Sequence, residues 1–483
     1  MKIANKTVTA TRLVKDALEK AEFFKDYNIF TFINKEGALK KAAEIDAKIA
    51  RGEKVGRLAG VPYALKDNFL SPEGETTASA HILQGFTSPV TATAVEKLEA
   101  EGAIMIGRTN LDAFAHGSST ENSYFGPTLN AHDRERVAGG SSGGSAVSVA
   151  LDIVEFATGT DTGGSIRQPA AFNGVYGLKP TYGTISRYGV VAMASSTDCI
   201  GFFTKTPEDM DLLMEIASGQ DPKDLTTLPD YYDAKLDNSG HASSRPSLRG
   251  SSLSPLPVVA DGPESSNSRI GIIKDFDNDS VDPEIRQALK DTCEKLKTKG
   301  HKIVELDMPT LKYALAVYYI IVPAEVASNL SRYDGVRYGF RSEKSATLGE
   351  LYNNTRGEGF MPENKRRIMI GNFVLSSGFY DAYFLKAAKA RTLIIKEYEK
   401  AFEKCDFILT PVSSNPAFKL GEKVSDPVAM YLEDMMSVSL NLAGVPGLAI
   451  PVGKTKAGLP IGLQLVGPRR SDKALINFAK EVA

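Results

Sequence analysis

The chain has 483 residues, of which 42% are hydrophobic and 24% are charged, a composition typical of soluble globular proteins. Its formal net charge of -2 at pH 7 disfavours a protein that wraps nucleic acid by bulk electrostatic attraction, although a local basic patch or a nucleic-acid-binding partner stays open. Its three cysteines form no CxxC pair, which disfavours a disulfide framework or a zinc ribbon and fits a reducing compartment.

The N-terminal segment is predicted to be helical. It lacks the apolar core of a signal peptide, and no run of about 18 apolar residues occurs along the chain, so we expect a cytoplasmic protein without a membrane span. Residues 8–51 are predicted to form two helices. The second helix has lysines on one face and apolar side chains on the other, the apolar positions being Leu39, Ala43, Ile45 and Ile49.

Strands and helices then alternate along the chain. The segment GVPYALKDNF predicts a short strand that runs into a loop. TATAVEKLEAEGA predicts a helix that ends at Gly102, and AIMIG predicts the next strand. This alternation favours an α/β fold around a central sheet.

The second half of the chain resumes this pattern after a change in composition. Residues 236–268 are dominated by Ser, Pro and Gly and have no periodicity, which predicts an exposed loop. RIGIIKDF and HKIVELDMP predict two strands. A helix that begins with Asp282 as N-cap and Pro283 as first residue lies between them and completes a βαβ unit. Helices are predicted up to about residue 404, followed by strands in CDFILTPV and GVPGLAIPVG.

Two glycine- and serine-rich stretches are candidates for chemistry, AGGSSGGSA at 138–146 and DTGGSIRQP at 161–169. The first matches the GxSxG nucleophile elbow at Ser141 and at Ser142. That motif requires a strand directly before it, and the charged segment in this position is not predicted to form one. Neither stretch matches a phosphate-binding loop. Flexible linkers are a further alternative, but the flanking apolar runs predict buried backbone that needs defined partners.

No histidine lies near the serine of the second stretch, so another base is needed. A buried lysine can serve, because burial disfavours the ammonium form and lowers the pKa. Lys66 ends an apolar predicted strand in VPYALKDN and is the best candidate. A surface lysine at a strand end is the ordinary alternative, and spacing alone does not decide between the two.

Taken together, VPYALKDN, AGGSSGGSA and GTDTGGSIRQPAAFNGVYGLKPT resemble the three defining blocks of the amidase signature family, in order and spacing. This resemblance implies one α/β domain over 1–483, with a large mixed central β-sheet covered by helices on both faces. Within it, the parts are N-terminal helices at 1–55, a catalytic core at 61–207, the exposed insert at 236–268, and the remaining sheet with a substrate pocket at 269–483.

The resemblance also implies a Ser-cisSer-Lys catalytic set. Ser165 corresponds to the nucleophile, Ser141 to the bridging serine after a cis peptide bond, and Lys66 to the base, with Ser142 as a possible helper. Backbone N–H groups of Thr162, Gly163, Gly164 and Ser165 are expected to form the oxyanion hole. No metal site is implied.

Three further segments resemble one branch of the family, the glutaminase subunits of tRNA-dependent amidotransferases. They begin FAHGSSTENS, YYIIVPAEVA and KRRIMIGNFV. The branch implies that glutamine is hydrolysed here and that ammonia passes to a B subunit, which activates Glu-tRNA(Gln) with ATP and Mg²⁺, in a heterotrimer with a small C subunit. No cofactor is expected in this chain, and charged tRNA is expected to bind mainly through the B subunit.

For the glutamine pocket, the resemblance implies that Arg367 meets the α-carboxylate, that Asp434 meets the α-ammonium and that Tyr318 lines the pocket. Ordinary surface roles for these side chains are the alternative. Two other functions stay open: a free-standing amidase that acts on other amides, and a catalytically silent scaffold, which the presence of Lys66, Ser141 and Ser165 disfavours.

Overall fold

A single mixed β-sheet forms the centre of the molecule. The computed structural model describes residues 1–228, 267–276 and 279–482, and within these residues the sheet has eleven strands. They are β1 (Phe30–Ile33), β2 (Pro62–Lys66), β3 (Ile104–Thr109), β4 (Phe156–Asp161), β5 (Tyr176–Lys179), β6 (Cys199–Thr204), β7 (Arg269–Ile273), β8 (Lys302–Leu306), β9 (Phe407–Pro411), β10 (Gly447–Lys454) and β11 (Pro460–Val466). The loop predicted at 236–268 lies outside the described residues, except for its last two positions.

Helices connect and cover these strands. In the described residues they are α1 (Ala10–Phe23), α2 (Lys35–Ala50), α3 (Thr93–Ala100), α4 (Gly143–Ala150), α5 (Arg167–Asn173), α6 (Pro207–Ala217), α7 (Pro283–Thr298), α8 (Ala314–Asn329), α9 (Leu348–Gly359), α10 (Pro362–Leu375), α11 (Lys386–Phe402), α12 (Pro427–Leu432), α13 (Val438–Ala443) and α14 (Asp472–Val482). Helix α7 begins as predicted, because Asp282 accepts hydrogen bonds from two backbone N–H groups of its first turn.

The strand order is β1-β3-β2-β4-β6-β5-β10-β11-β9-β7-β8. Strand β2 runs parallel to β3 and β4, and β7 runs parallel to β8 and β9. The other neighbouring pairs are antiparallel. The predicted α/β fold with a large mixed sheet is confirmed, and β7-α7-β8 is the predicted βαβ unit.

Helices cover both faces of the sheet. Successive side chains of a strand point to opposite faces, so the apolar residues of one strand pack against helices on both sides. On β2, Tyr63 and Leu65 pack in one apolar cluster with residues of α3, α6 and α14. The intervening Ala64 belongs to a second cluster, with residues of α1, α4 and α5. The expectation of helices on both faces is thereby confirmed.

Some local predictions were wrong. Strand β1 lies within residues 8–51, which were predicted to form two helices. Strands β5, β6 and β11 were not predicted either; each contains a glycine, which weakens the two-residue alternation of apolar side chains. On α2, Ala43 is exposed, and the buried side chains are those of Ala38 and Ala42. Leu39, Ile45 and Ile49 pack against the core as predicted, so Ala43 is the one residue of the four that was wrongly placed on the contact face.

One helical stretch, Leu311–Arg332, is long and apolar enough to span a membrane by length and composition alone. In its most apolar window 56% of the residues are buried inside the fold. Val317, Ile321 and Val322 lie in the largest apolar cluster. The stretch therefore packs as a core helix.

Helices α8 and α10 approach each other closely at Gly371. A methyl group at this position would collide with the backbone carbonyl of Pro323 and would lie 2.7 Å from the Cβ atom of Ala327. Backbone atoms of a packed helix cannot move aside cheaply. Glycine at 371 therefore sets the distance between the two helices.

The substitution Gly371→Ala is expected to lower the free energy of unfolding by about 1–3 kcal/mol, because the added methyl group forces α8 and α10 apart. Gly357→Ala is the matched control: a methyl group there meets nothing within 4 Å, so this change is expected to stabilise α9 by about 0.5–1 kcal/mol. Denaturant unfolding followed by circular dichroism measures both effects. Equal stability of Gly371→Ala and the parent protein would contradict the close packing.

Candidate active site

The candidate site forms where the parallel strands β2 and β4 end. Lys66 is the last residue of β2, and Thr160 lies at the end of β4. Because β2 and β4 are parallel neighbours, their carboxyl ends meet at the same edge of the sheet. Ser141 and Ser142 immediately precede α4, the helix that leads into β4. The topology thus brings residues of the three sequence blocks to one point.

The side chain of Lys66 is fully buried among hydroxyl groups. Its Nζ atom lies 2.9 Å from Oγ of Ser141, 2.7 Å from Oγ of Ser142 and 2.8 Å from Oγ1 of Thr160. The hydroxyl of Ser142 in turn donates to the backbone carbonyl of Thr160 at 3.3 Å. The peptide bond between Gly140 and Ser141 is cis. Both serine hydroxyls are thus within hydrogen-bond distance of the lysine nitrogen.

This environment changes the charge of the lysine. Burial lowers the pKa of Lys66 to about 7, although the carboxylates of Asp112, Asp161 and Asp198 act in the opposite direction. Within the described residues, Lys66 has no salt-bridge partner. A large fraction of Lys66 is therefore neutral near pH 7, and a neutral amine can accept a proton.

Ser165 lies in the short loop between β4 and α5. Its side chain remains 8% exposed, whereas Ser141 and Ser142 are completely buried. In the part of the chain that the structure describes, the Ser165 hydroxyl has no hydrogen-bond partner. The N–H group of Ser142 donates to the backbone carbonyl of Ser165 at 3.2 Å. This bond ties the two glycine-rich segments together and leaves the Ser165 hydroxyl available to a substrate.

A buried ion pair fixes the loop that carries Ser165. The Arg167 guanidinium contacts both oxygens of Asp161, with Nη2 at 3.0 Å and Nε at 3.1 Å, and neither side chain is exposed. The same carboxylate accepts hydrogen bonds from the N–H groups of Gly164 and Ile166. Burial raises the pKa of Asp161, but the attraction of Arg167 prevails and brings it to about 2. The carboxylate therefore stays charged and holds the loop.

The Asp161 contact corrects one expectation about the oxyanion hole. The N–H group of Gly164 was expected to face the acyl oxygen, but it donates to Asp161 Oδ1 at 2.9 Å and is already satisfied. The N–H groups of Thr162, Gly163 and Ser165 remain predicted hydrogen-bond donors of the oxyanion hole.

The two glycines of the loop allow close packing. A Cβ atom on Gly163 would lie 2.6 Å from the hydroxyl oxygen of Tyr318. On Gly164, which has φ +141°, it would lie 2.5 Å from Oγ of Ser437. Only glycine fits at either position without displacing a neighbour. Tyr318, predicted to line the pocket, thus lies directly against the Ser165 loop.

Arg367 is buried on α10, with 3% of its surface exposed. Its Nε atom donates to Oε1 of Glu363 at 2.8 Å. Its two Nη nitrogens have no hydrogen-bond partner within the described residues. A buried guanidinium with free donors is suited to bind a carboxylate in a bidentate manner.

Asp434 lies just beyond α12 and is also buried. Its two oxygens accept hydrogen bonds from Ser118 and from Tyr319, each at 2.7 Å. Burial raises the pKa of Asp434 to about 6, so most of the carboxyl groups are ionised at pH 7. Lone pairs remain on both oxygens for a further donor, such as an ammonium group.

Several residues of the site were missed from sequence. Tyr319 and Ser118 hold Asp434, and Asp161 holds the nucleophile loop. Each lies inside a segment that had been singled out, but neither periodicity nor motif spacing distinguishes it from its neighbours. Tyr318 and Tyr319 are adjacent, with their rings edge to face at 5.1 Å, and contact different parts of the site.

Comparison with known proteins identifies the family. A model of the amidase family matches residues 12–476. The chain belongs to the amidase family. The family expected from the three sequence blocks is thereby confirmed.

Several relatives with high identity share one description. The A subunit of glutamyl-tRNA(Gln) amidotransferase from Carboxydothermus hydrogenoformans is 47% identical over 479 residues, which cover 99% of this chain and 94% of that protein. The protein of the same name from Thermosynechococcus vestitus is 46% identical over 482 residues, covering 99% and 95%.

Solved structures of family members have the same fold. The crystal structure of the A subunit of glutamyl-tRNA(Gln) amidotransferase from Thermotoga maritima superposes with a TM-score of 0.77 at 35% identity, covering 98% of this chain and 91% of that one. A crystal structure described as an amidase has a TM-score of 0.78 at 30% identity, covering 99% and 96%.

We expect the reactivity of Ser165 to rise with pH through about 7. Lys66 accepts a proton only when neutral, so its protonation as pH falls through its pKa of about 7 should suppress the nucleophile. The rate of labelling by a serine-directed fluorophosphonate, followed by mass spectrometry over a pH series on both sides of neutrality, measures this. Lys66→Ala should label slowly with no inflection near neutral pH. An inflection that persists in Lys66→Ala would contradict the assignment.

Proposed function

We propose that this chain is the glutaminase subunit of a glutamyl-tRNA(Gln) amidotransferase, which hydrolyses glutamine at Ser165 and supplies ammonia to a partner protein. The observation that carries the proposal is a buried lysine, held against the hydroxyls of Ser141 and Ser142, with the backbone of Ser142 bonded to that of Ser165. It stands together with a buried Arg367 that has free donors within the described residues and a separate buried Asp434. The name shared by relatives that match the chain over nearly its whole length supports the same function.

In the proposed reaction, the Ser165 hydroxyl attacks the carbonyl carbon of the glutamine side-chain amide. Its proton passes to Ser141, and the Ser141 proton passes to neutral Lys66. When the tetrahedral intermediate collapses, the carbon–nitrogen bond breaks and the proton returns through Ser141 to the leaving nitrogen, which departs as ammonia. Water then hydrolyses the glutamyl ester on Ser165, which releases glutamate and restores the serine.

The developing negative charge on the carbonyl oxygen needs hydrogen-bond donors. Backbone N–H groups of Thr162, Gly163 and Ser165 are proposed to supply them, each worth roughly 2.7–4 kcal/mol of transition-state stabilisation. Asp161 and Arg167 keep this backbone fixed. The donors therefore need no rearrangement when the charge develops.

The pocket fits a zwitterionic amide. Glutamine carries a carboxylate and an ammonium group on one carbon, so its site needs opposite charges that are held apart. The free Nη donors of Arg367 are proposed to bind the α-carboxylate, and Asp434 the α-ammonium. Tyr318 is proposed to line the pocket beside the Ser165 loop, since a Cβ atom on Gly163 would lie 2.6 Å from its hydroxyl oxygen.

The ammonia is proposed to be used outside this chain. In this proposal a B subunit uses ATP and Mg²⁺ to activate Glu-tRNA(Gln), with Asp-tRNA(Asn) as a second candidate substrate, and a small C subunit completes a cytoplasmic heterotrimer. Charged tRNA is bound mainly by the B subunit, and no cofactor is assigned to this chain. Within the described residues, no group of three or more His, Cys, Asp or Glu side chains is arranged to hold a metal ion.

Ser165→Ala is expected to abolish glutamine hydrolysis, by at least about a thousandfold, while the complex still assembles, because only the attacking oxygen is lost. Glutamate release and glutamine-dependent amidation of Glu-tRNA(Gln) by the co-purified complex are the measurements. Ser148→Ala is the control: this buried serine of α4 donates to the carbonyl of Ser145, and its loss should leave the rate unchanged. Parental glutamate release by Ser165→Ala would show that Ser165 is not the nucleophile. A monomer that hydrolyses diverse amides would favour a free-standing amidase.

Asp434→Asn is expected to raise KM for glutamine by roughly 10- to 100-fold, because the α-ammonium loses its charged partner. Reaction with a neutral ester should change far less. Asp221→Asn is the matched control, since Asp221 is also buried and also accepts hydrogen bonds from two hydroxyl groups. Steady-state kinetics on both substrates provide the test, and equal losses on both would argue against an ammonium-binding role.

A further inference from the structure

Tyr319 connects the two charges of the pocket. It lies on α8, and its hydroxyl donates to Oδ2 of Asp434 at 2.7 Å. The centroid of its ring lies 5.3 Å from the guanidinium carbon of Arg367, and the centroid of the Tyr431 ring lies 5.6 Å from the same carbon. One side chain therefore contacts the anionic group through its hydroxyl and the cationic group through its ring.

Tyr431 and Glu363 complete this contact set. The rings of Tyr319 and Tyr431 stack with centroids 4.0 Å apart. The Tyr431 hydroxyl donates to Oε1 of Glu363 at 2.8 Å, and the same oxygen accepts from Nε of Arg367 at 2.8 Å. Residues from α8, α10 and α12 are thus linked in a continuous network around the guanidinium.

Buried opposite charges attract strongly, because the protein interior screens them poorly. If Arg367 and Asp434 were paired directly, each would satisfy the other, and neither would be available to a zwitterion. Within the described residues they form no salt bridge. Tyr319 donates a single hydroxyl to the Asp434 carboxylate and places its ring beside the Arg367 guanidinium. Lone pairs of the carboxylate and N–H donors of the guanidinium therefore remain available to a substrate.

We propose that Tyr319 is a positioning residue that holds Arg367 and Asp434 apart and thereby makes the pocket specific for zwitterionic amides. This inference rests on the proposed function and extends it, because it assigns substrate selection to a side chain that acts through the two charged residues. Its hydroxyl serves recognition of the ammonium through Asp434. Its ring serves recognition of the carboxylate through Arg367. The neighbouring Tyr318 has a different position, against Gly163 of the nucleophile loop.

Two substitutions separate the two contacts. Tyr319→Phe removes only the hydroxyl, so KM for glutamine should rise on the order of tenfold while kcat stays within about threefold of the parent. Glutaramate has the carboxylate and the amide of glutamine but no α-ammonium, and its KM should change by less than about threefold. Tyr319→Leu also removes the ring, so KM should rise on the order of tenfold for both substrates.

Tyr63→Phe is the matched control. The Tyr63 ring is also buried and stacked, on Phe156 at 5.2 Å, and its hydroxyl also donates to a carboxylate, that of Glu99 at 3.1 Å. It lies in the apolar cluster with α3, α6 and α14, so its loss should leave both KM values unchanged. All variants are assayed in the complex with the partner proteins.

An unchanged KM for glutamine in Tyr319→Phe, or a loss of kcat without a change in KM, would overturn the role of Tyr319 and leave the proposed function intact. Equal increases for glutamine and glutaramate in Tyr319→Phe would also overturn it, since damage to the fold affects both substrates alike. A parent complex that fails to hydrolyse glutamine, although it hydrolyses other amides, would overturn the proposed function itself.

Discussion

The burial of the Lys66 nitrogen without a counter-ion is the constraint on which the candidate site depends. Three hydroxyl groups surround this nitrogen at the end of β2, and within the described residues no carboxylate pairs with it. An ammonium group in such a place loses its hydration and gains only neutral partners, so its pKa falls to about 7. A base of this kind needs no histidine, which explains how a serine-rich loop can carry nucleophilic chemistry.

At the same edge of the sheet, a second buried cation shows the opposite behaviour. Arg167 is as completely buried as Lys66, but it contacts both oxygens of Asp161, which remains ionised. The Asp161 carboxylate stays charged and, with Arg167, fixes the loop that carries Ser165. One edge therefore contains an unpaired lysine suited to proton transfer and a paired arginine suited to holding backbone. The presence or absence of one carboxylate makes the difference.

The proposed substrate pocket also depends on how its buried charges are paired. Arg367 and Asp434 are both buried, and each is held by neighbours that leave part of its binding capacity free. Tyr319 lies between them, and α8, α10 and α12 supply the surrounding contacts. The helices α8 and α10, which carry Tyr319 and Arg367, approach each other closely at Gly371.

The sequence predicted the α/β class, the family and the order of most helices and strands. These features follow from local signals, such as apolar periodicity and the helix cap at Asp282, and from the motif blocks along the chain. It also singled out Lys66, Ser141, Ser165, Arg367 and Asp434, whose catalytic and binding roles stay predictions. Strand β1 was missed because it lies within a stretch that was predicted to be helical, and β5, β6 and β11 were missed because a glycine interrupts the apolar alternation of each.

Only the tertiary structure decided which side chains meet. The parallel pairing of β2 with β4 brings Lys66 to Thr160, residues 94 positions apart. Asp161 takes the Gly164 N–H that the sequence had assigned to the oxyanion hole. Tyr319 contacts both Arg367 and Asp434 because three helices converge there. By itself, the sequence determined which chemical groups are present. Burial and neighbouring atoms determine the charge of each group and the atoms that it can contact. Burial and neighbours both arise from contacts between segments that are distant in the chain, which local sequence does not encode.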